Sequence, residues 1–243
     1  MNDSIYKKIL NAHRTLGILL DPEKMGDVKV DAFAKAVSLK KSSLLKKYQL
    51  DHIILLVGGS TMQDVGFESW VKNLSKHTDL DIVIFPGSHH QVAQEAHALL
   101  FLNLISGRNP EYLIEQQVKA ASKIAAIDIE VIPTGYLLLD GGKETAVARV
   151  SKTKPMDQKD IHLIINTALA GQFMGNKLIY LEAGSGALQP VHETIVQAVC
   201  DRLDIPVIVG GGLRTKESIE KRFNAGAKMV VVGTAIEEHL GWL

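Results

Sequence analysis

Three stretches in the last third of the chain share one pattern: Tyr180-Leu-Glu-Ala-Gly-Ser-Gly-Ala187, Val209-Gly-Gly-Gly-Leu-Arg214 and Val232-Gly-Thr-Ala235. Each is an apolar, strand-like run that breaks into glycines and then gives way to a helical pattern. Glycine lets backbone N–H groups approach an anion closely, and a following helix start adds its positive dipole end. Three such breaks together could cradle a phosphate. The plainer alternative is that the glycines only make tight strand-to-helix turns. Glu182 sits inside the first break. A carboxylate beside a phosphate is expected to bind a hydroxyl, a metal or a basic side chain, and one held against a substrate hydroxyl can act as general base. Asp21 ends another apolar run, directly before Pro22. An uncompensated carboxylate there is costly. Either it binds Mg2+, with Ser60 adding a hydroxyl from a neighbouring strand, or it caps the following turn. Spacing alone leaves both open. His89, His90 and His97 do not make a zinc set, having neither cysteine nor HExxH spacing to complete it.

The elements that must position these residues repeat along the chain. Apolar runs centred near residues 15, 52, 81, 99, 129, 178, 206 and 229 read as strands. Helical patterns are expected after each, including 31–48 after the first and a short stretch through Ala96 after the third. Alternating strands and helices, with strands apolar on both faces, imply a parallel sheet. Eight units in this length fit a closed (β/α)8 TIM barrel, α/β in class, as a single domain over residues 1–243. A doubly wound open sheet is the alternative, and no Gly-x-Gly-x-x-Gly follows the first strand to support it. In a barrel all strand C-termini lie on one face, which carries the active site. Asp21, Gly58 to Ser60, Phe85 to Ser88, Tyr136, Glu182, Gly210 to Gly212 and the pair Gly233 and Thr234 all fall there.

The 243 residues carry 27 Lys+Arg and 27 Asp+Glu, so no basic excess points to nucleic acid or a polybasic membrane surface. No apolar run approaches the ~18 residues of a membrane span, and no signal peptide is expected. Cys200 is the one cysteine, which excludes an intrachain disulfide and points to a cytoplasmic protein. It lies in an apolar-periodic segment and reads as a buried helix residue.

Taken in order, Leu20-Asp-Pro22, Gly58-Gly-Ser60, Phe85-Pro-Gly87, Gly135-Tyr136, Tyr180 to Gly186, Val209-Gly-Gly-Gly212 and Val232-Gly-Thr234 resemble the geranylgeranylglyceryl phosphate synthase family, which is related to bacterial heptaprenylglyceryl phosphate synthase. The YLEAGSG stretch is the specific part. The resemblance implies a TIM-barrel prenyltransferase that joins sn-glycerol 1-phosphate to a polyprenyl diphosphate, forming an ether-linked prenylglyceryl phosphate and diphosphate. It implies Mg2+ held by Asp21 and Ser60. Glycerol phosphate would be held by Tyr180, Leu181, Glu182, Ala183, Gly184, Ser185 and Gly186, with Gly211, Gly212, Gly233 and Thr234. Glu182 would deprotonate the attacking hydroxyl. Side chains of strands two to four and the loop at Pro86-Gly87 would line the isoprenoid groove, and a homo-oligomer, dimer or hexamer, is expected. The heptaprenyl branch carries lysine two positions before the aspartate, where this chain has Leu19. Two other readings stay in view. A sugar-phosphate isomerase or aldolase on the same barrel needs a catalytic lysine at a strand end, whereas Lys177 falls at a strand's start. A non-catalytic phosphate- or headgroup-binding protein would bind glycerol phosphate without releasing diphosphate.

Overall fold

The structure is a computed structural model and describes residues 4–59 and 66–233. Ser60, Thr234 and the helix expected after the last strand lie outside the described residues. The strands are β1 (Thr15–Leu20), β2 (His52–Val57), β3 (Asp81–Ile84), β4 (Ala98–Asn103), β5 (Glu130–Leu138), β6 (Leu178–Glu182), β7 (Val207–Gly210) and β8 (Met229–Val232). They close in sequence order into a parallel barrel, with β8 returning to β1. Closure removes both sheet edges, so the open doubly wound alternative falls.

Strand alternation divides the core in two. Ile54, Leu56, Leu100, Ile132, Tyr136, Leu178, Tyr180 and Ile208 fill the barrel interior, with Ile5 and Ile9 of α1 (Ile5–Asn11) among them. The residues between them, such as Ile53, Leu55, Val57, Leu137, Ile179, Leu181 and Val209, face the helices. This is why the strands read as unbroken apolar runs: both faces are buried.

The helices are α2 (Pro22–Tyr48), α3 (Phe67–Ser75), α4 (Gln116–Ala125), α5 (Ala146–Ser151), α6 (Ile161–Phe173), α7 (Glu193–Cys200) and α8 (Lys216–Asn224). Two differ from the sequence reading. The helix expected at 31–48 begins at Pro22, because Asp21 takes the N-cap position and proline suits the first helical residue. The helix expected through Ala96 does not form: residues 85–97 run as turns directly into β4. Pro86 and Gly87 break the pattern, and Gln91 turns inward to bond backbone groups of other segments. A single turn of π-helix, Glu111–Glu115, leads into α4. The long connection 141–156 contains α5, whose N-cap Thr145 accepts from Ala148 N.

At the closed end of the barrel the Glu130 carboxylate accepts from Ser4 Oγ at 2.6 Å, Ile5 N at 2.6 Å and Tyr6 N at 3.2 Å. Acceptance by a carboxylate satisfies helix-start N–H groups that have no intrahelical partner. Replacing Glu130 with alanine is expected to lower stability by about 2 kcal/mol, read as a lower urea midpoint at unchanged slope. An unchanged midpoint would show that α1 docks on apolar contacts alone.

Candidate active site at the barrel mouth

The three glycine breaks meet at the C-terminal mouth. Glu182 ends β6 and points inward; it is 4% exposed. Its strand partner on β7 is Gly210. A Cβ on Gly210 would lie 2.9 Å from Glu182 Oε2 and would overlap the Tyr180 hydroxyl, so this glycine makes room for two side chains from the neighbouring strand. The next two glycines serve a different need. Gly211 and Gly212 have φ of +84° and +70°, which side-chain-bearing residues rarely adopt. Gly184 (φ +97°) and Gly186 (φ +70°) shape the loop after β6 in the same way.

Burial pushes the Glu182 carboxyl up to about 7, although its Oε1 accepts from Gly184 N at 2.6 Å, which works in the opposite direction. The Tyr180 hydroxyl lies beside the carboxylate and lowers it a little further, yet this buried O–H completes no hydrogen bond of good geometry. A spare donor next to a poised carboxylate suits a substrate hydroxyl or phosphate. The rings of Phe85, Tyr136 and Tyr180 form a triangular cluster, with centroids 5.1 Å apart for Phe85 and Tyr180, 5.4 Å for Tyr136 and Tyr180 and 6.0 Å for Phe85 and Tyr136. Desolvation, then the Glu182 charge, holds both tyrosines well above the usual phenol range, so they stay neutral.

Two cavities open here. The smaller, of about 70 Å³, is walled by Tyr180, Glu182, Ser185, Gly186, Gly211, Gly212, Arg214 and Gly233. A Cβ on Gly186 would sit 3.1 Å from Lys143 Nζ, so a cation from the 141–156 connection approaches the same loop. Leu181 and Ala183 do not wall this cavity. Leu181 alternates outward onto the helix-facing core, and Ala183 gives its N–H to Gly210 O at 3.1 Å. The larger cavity, of about 370 Å³, begins at Asp21, Lys24, Gly58 and Gly59 and runs past Phe85 to Ser88. It then passes over Leu99 and Phe101 toward Ala120 and Ile124 of α4. Leu99 and Phe101 belong to the outer face of β4, so the cleft occupies the flank where a helix after β3 would have packed. Leu19, Phe85, Tyr136, Val147, Ser185 and Gly233 line both cavities and form the joint between them.

Asp21 is 9% exposed. Its Oδ1 accepts from Glu23 N at 3.1 Å, the capping contact, and Lys24 Nζ lies 3.6 Å from Oδ2. Desolvation raises its carboxyl despite Lys24. The capping reading and the ligand reading are therefore compatible, because one oxygen caps while the carboxylate borders the large cavity. Among the described residues no group of three or more His, Cys, Asp and Glu gathers as a metal cage. A single carboxylate shared with substrate phosphates is the donor set that suits Mg2+. The histidines separate: His89 meets Gln116 Oε1 at the cleft, while His97 Nδ1 accepts from Ile82 N at the strand-start end. Lys177 also lies at that end, with its Nζ 5.4 Å from the Tyr6 ring centroid. Sequence reasoning missed Gln91, Lys143, Arg214 and the α4 face; a lone polar residue in a loop carries no periodic signal.

The raised carboxyl of Glu182 has a stability consequence. Between the unfolded value near 4.5 and the folded value near 7 the native state holds the extra proton, so stability falls as pH rises through that window. Glu182→Gln is therefore expected to melt higher than the parent at pH 8 and level with it at pH 4. A constant difference at both values would locate the effect in packing.

The sequence profile of the PcrB family matches residues 13–241. The geranylgeranylglyceryl phosphate synthase of Zunongwangia profunda is 47% identical over 235 residues, covering 97% of this chain and 96% of the relative. That of Flavobacterium johnsoniae is 44% identical over 238 residues, covering 96% and 94%. Among solved structures, the (S)-3-O-geranylgeranylglyceryl phosphate synthase of Thermoplasma acidophilum, in complex with sn-glycerol-1-phosphate, superposes with a TM-score of 0.85 at 34% identity. The match covers 97% of this chain and 92% of that one. On sequence and fold together, the chain belongs to the PcrB family, alongside the geranylgeranylglyceryl phosphate synthases that it matches over nearly their whole length.

Proposed function

We propose that this barrel transfers a polyprenyl group, geranylgeranyl first among them, from its diphosphate to the free primary hydroxyl of sn-glycerol 1-phosphate. The observation that carries the reading is the junction of two unlike cavities beside Glu182. One is small and walled by glycine turns with nearby cations; the other is long, apolar and opens at Asp21.

Backbone N–H groups at 185–186 and 211–212, with Gly233, receive the phosphate, and Thr234 is assigned to the same task. Arg214 and Lys143 offset its charge, a task that a lysine at the position of Leu19 would otherwise share. Tyr180 and Glu182 receive the glycerol hydroxyls. The hydroxyl oxygen forms a bond to the allylic C1 as the bond from C1 to diphosphate breaks. The electron pair leaves with the diphosphate, and Glu182 takes the hydroxyl proton. A carboxyl near 7 is suited to this exchange, since it accepts a proton at neutral pH and can release it again. Phe85, Tyr136 and Tyr180 offer aromatic faces at the joint, where positive charge develops on the allylic carbon. Asp21 would hold Mg2+ together with Ser60, and the ion when bound would neutralise the leaving diphosphate. The apolar cleft over Leu99, Phe101, Ala120 and Ile124 takes the isoprenoid chain.

The test is incubation with labelled sn-glycerol 1-phosphate, Mg2+ and a ladder of polyprenyl diphosphates, with the 3-phosphate isomer run in parallel. A prenylglyceryl phosphate is expected from the 1-phosphate. No product with any chain would leave a binding protein as the reading. Glu182→Gln should lower kcat by about 100-fold or more while glycerol phosphate still binds. Near-normal turnover would remove Glu182 from the proton transfer. In the parent, kcat/KM should rise with pH and level off above an inflection near 7; a flat profile from pH 5 to 9 would assign the proton elsewhere. Asp21→Asn should sharply raise the Mg2+ needed for half-maximal rate, and an unchanged requirement would overturn its role.

A further inference from the structure

Gln91 lies in the helix-free segment after β3 and is 1% exposed. A buried carboxamide must find partners for its oxygen and its amino group. Those of Gln91 come from two separate loops. Oε1 accepts from Gly87 N at 2.9 Å and from Gly59 N at 3.4 Å, and Nε2 donates to Gly59 O at 2.8 Å. Both peptide groups of Gly59 are thus held by one side chain. Gly59 in turn packs on Asp21, since a Cβ there would lie 2.7 Å from Asp21 Oδ1. Gly58 is pressed between the same groups: its Cβ would overlap the Phe85 carbonyl oxygen and lie 3.0 Å from Gln91 Oε1. Gly58, Gly59, Gly87, Gln91 and Asp21 all line the large cavity.

Strand pairing does not account for this clamp. The β2–β3 ladder runs from Ile54 opposite Asp81 to Val57 opposite Ile84, and Phe85 N extends it with one bond to Val57 O at 2.9 Å. Gln91 acts beyond the last rung, on backbone that borders the cleft. We propose that Gln91 is the positioning residue for the diphosphate end of the active site. Its carboxamide fixes the Gly59 backbone against Asp21 and ties it to the Gly87 turn, so that the two loops form one rigid wall for a magnesium-bound diphosphate. It acts through Gly59, Gly87 and Asp21. The inference rests on the proposed prenyl-transfer reading, because it needs the diphosphate to lie beside Asp21.

Gln91→Met keeps length and bulk and removes the hydrogen bonds. Gln91→Asn keeps the amide but falls one methylene short of spanning both loops. Calorimetric titration with inorganic diphosphate in Mg2+, and separately with sn-glycerol 1-phosphate, reads the two halves of the site. Gln91→Met should weaken diphosphate binding about tenfold, the equivalent of one hydrogen bond. Glycerol phosphate affinity should stay within about twofold, since Phe85 alone of the Gln91 loop reaches its cavity. Steady-state kinetics should show KM for the prenyl diphosphate rising in step, with KM for glycerol phosphate unchanged. If circular dichroism shows Gln91→Met unfolded, Gln91→Asn carries the same comparison. Unchanged diphosphate affinity in the folded variant overturns the inference, and so does an equal loss for both ligands. Failure of the underlying reading shows separately, as a parent protein that neither binds magnesium diphosphate nor forms product.

Discussion

The architecture of the mouth depends on a carboxylate kept out of water. Burying Glu182 costs free energy whenever it is charged, and little around it repays that cost. One backbone N–H, from Gly184, donates to it, and among the described residues no cation pairs with it. The surroundings are arranged around this constraint. Gly210 gives up a side chain so that the carboxylate and the Tyr180 hydroxyl fit above it. Gly211 and Gly184 take backbone conformations that bring their peptide groups up to the same place. The outcome is a group poised between its two protonation states near neutrality, which neither a solvated nor a salt-bridged glutamate would be.

A second constraint is spatial. The strand alternation that sends Tyr180 and Glu182 inward also sends Leu181 outward, so a motif continuous in sequence splits in space. The same rule places Tyr136 opposite Tyr180 and Leu138 opposite Glu182 on the neighbouring strand. Aromatic rings then floor the joint between the two cavities while aliphatic side chains fill the barrel beneath it. The candidate site therefore lies on the uppermost inward layer, supported by a packed interior, which is the usual division of labour in barrels of this kind.

The strands were legible because burial on both faces leaves an uninterrupted apolar signature, as in Ile53 to Val57 and Leu178 to Leu181. Asp21 and Glu182 were legible because a carboxylate at the end of such a run is out of place. The glycine clusters were visible, although Gly210 differs from its neighbours in a way only coordinates reveal: it is needed for space and they are needed for torsion. The start of α2 is not legible because a helix beginning at Asp21-Pro22 has little apolar periodicity in its first turns. The turns after β3 resemble a helix in sequence because Val92, Ala93 and Ala96 are spaced as a helix would space them. They are buried instead by a loop that follows the cleft. Gln91 could not be singled out, since its partners are backbone groups at residues 59 and 87.

The missing helix after β3 has one more consequence. β3 and β4 share only two register pairs, Val83 with Ala98 and Ile84 with Leu99, so this seam is short as well as uncovered. Leu99 is buried, but Phe101 beside it is only partly covered and lines the cleft. An isoprenoid chain lying in the cleft would cover Phe101 and pack beside Leu99, completing the hydrophobic layer that the polypeptide leaves open. Substrate occupancy and closure of the seam would then be linked equilibria, in which the lipid would stabilise the folded state by mass action. On the proposed function, the hydrocarbon of the substrate would serve, for the time it is bound, as a piece of the protein's own core.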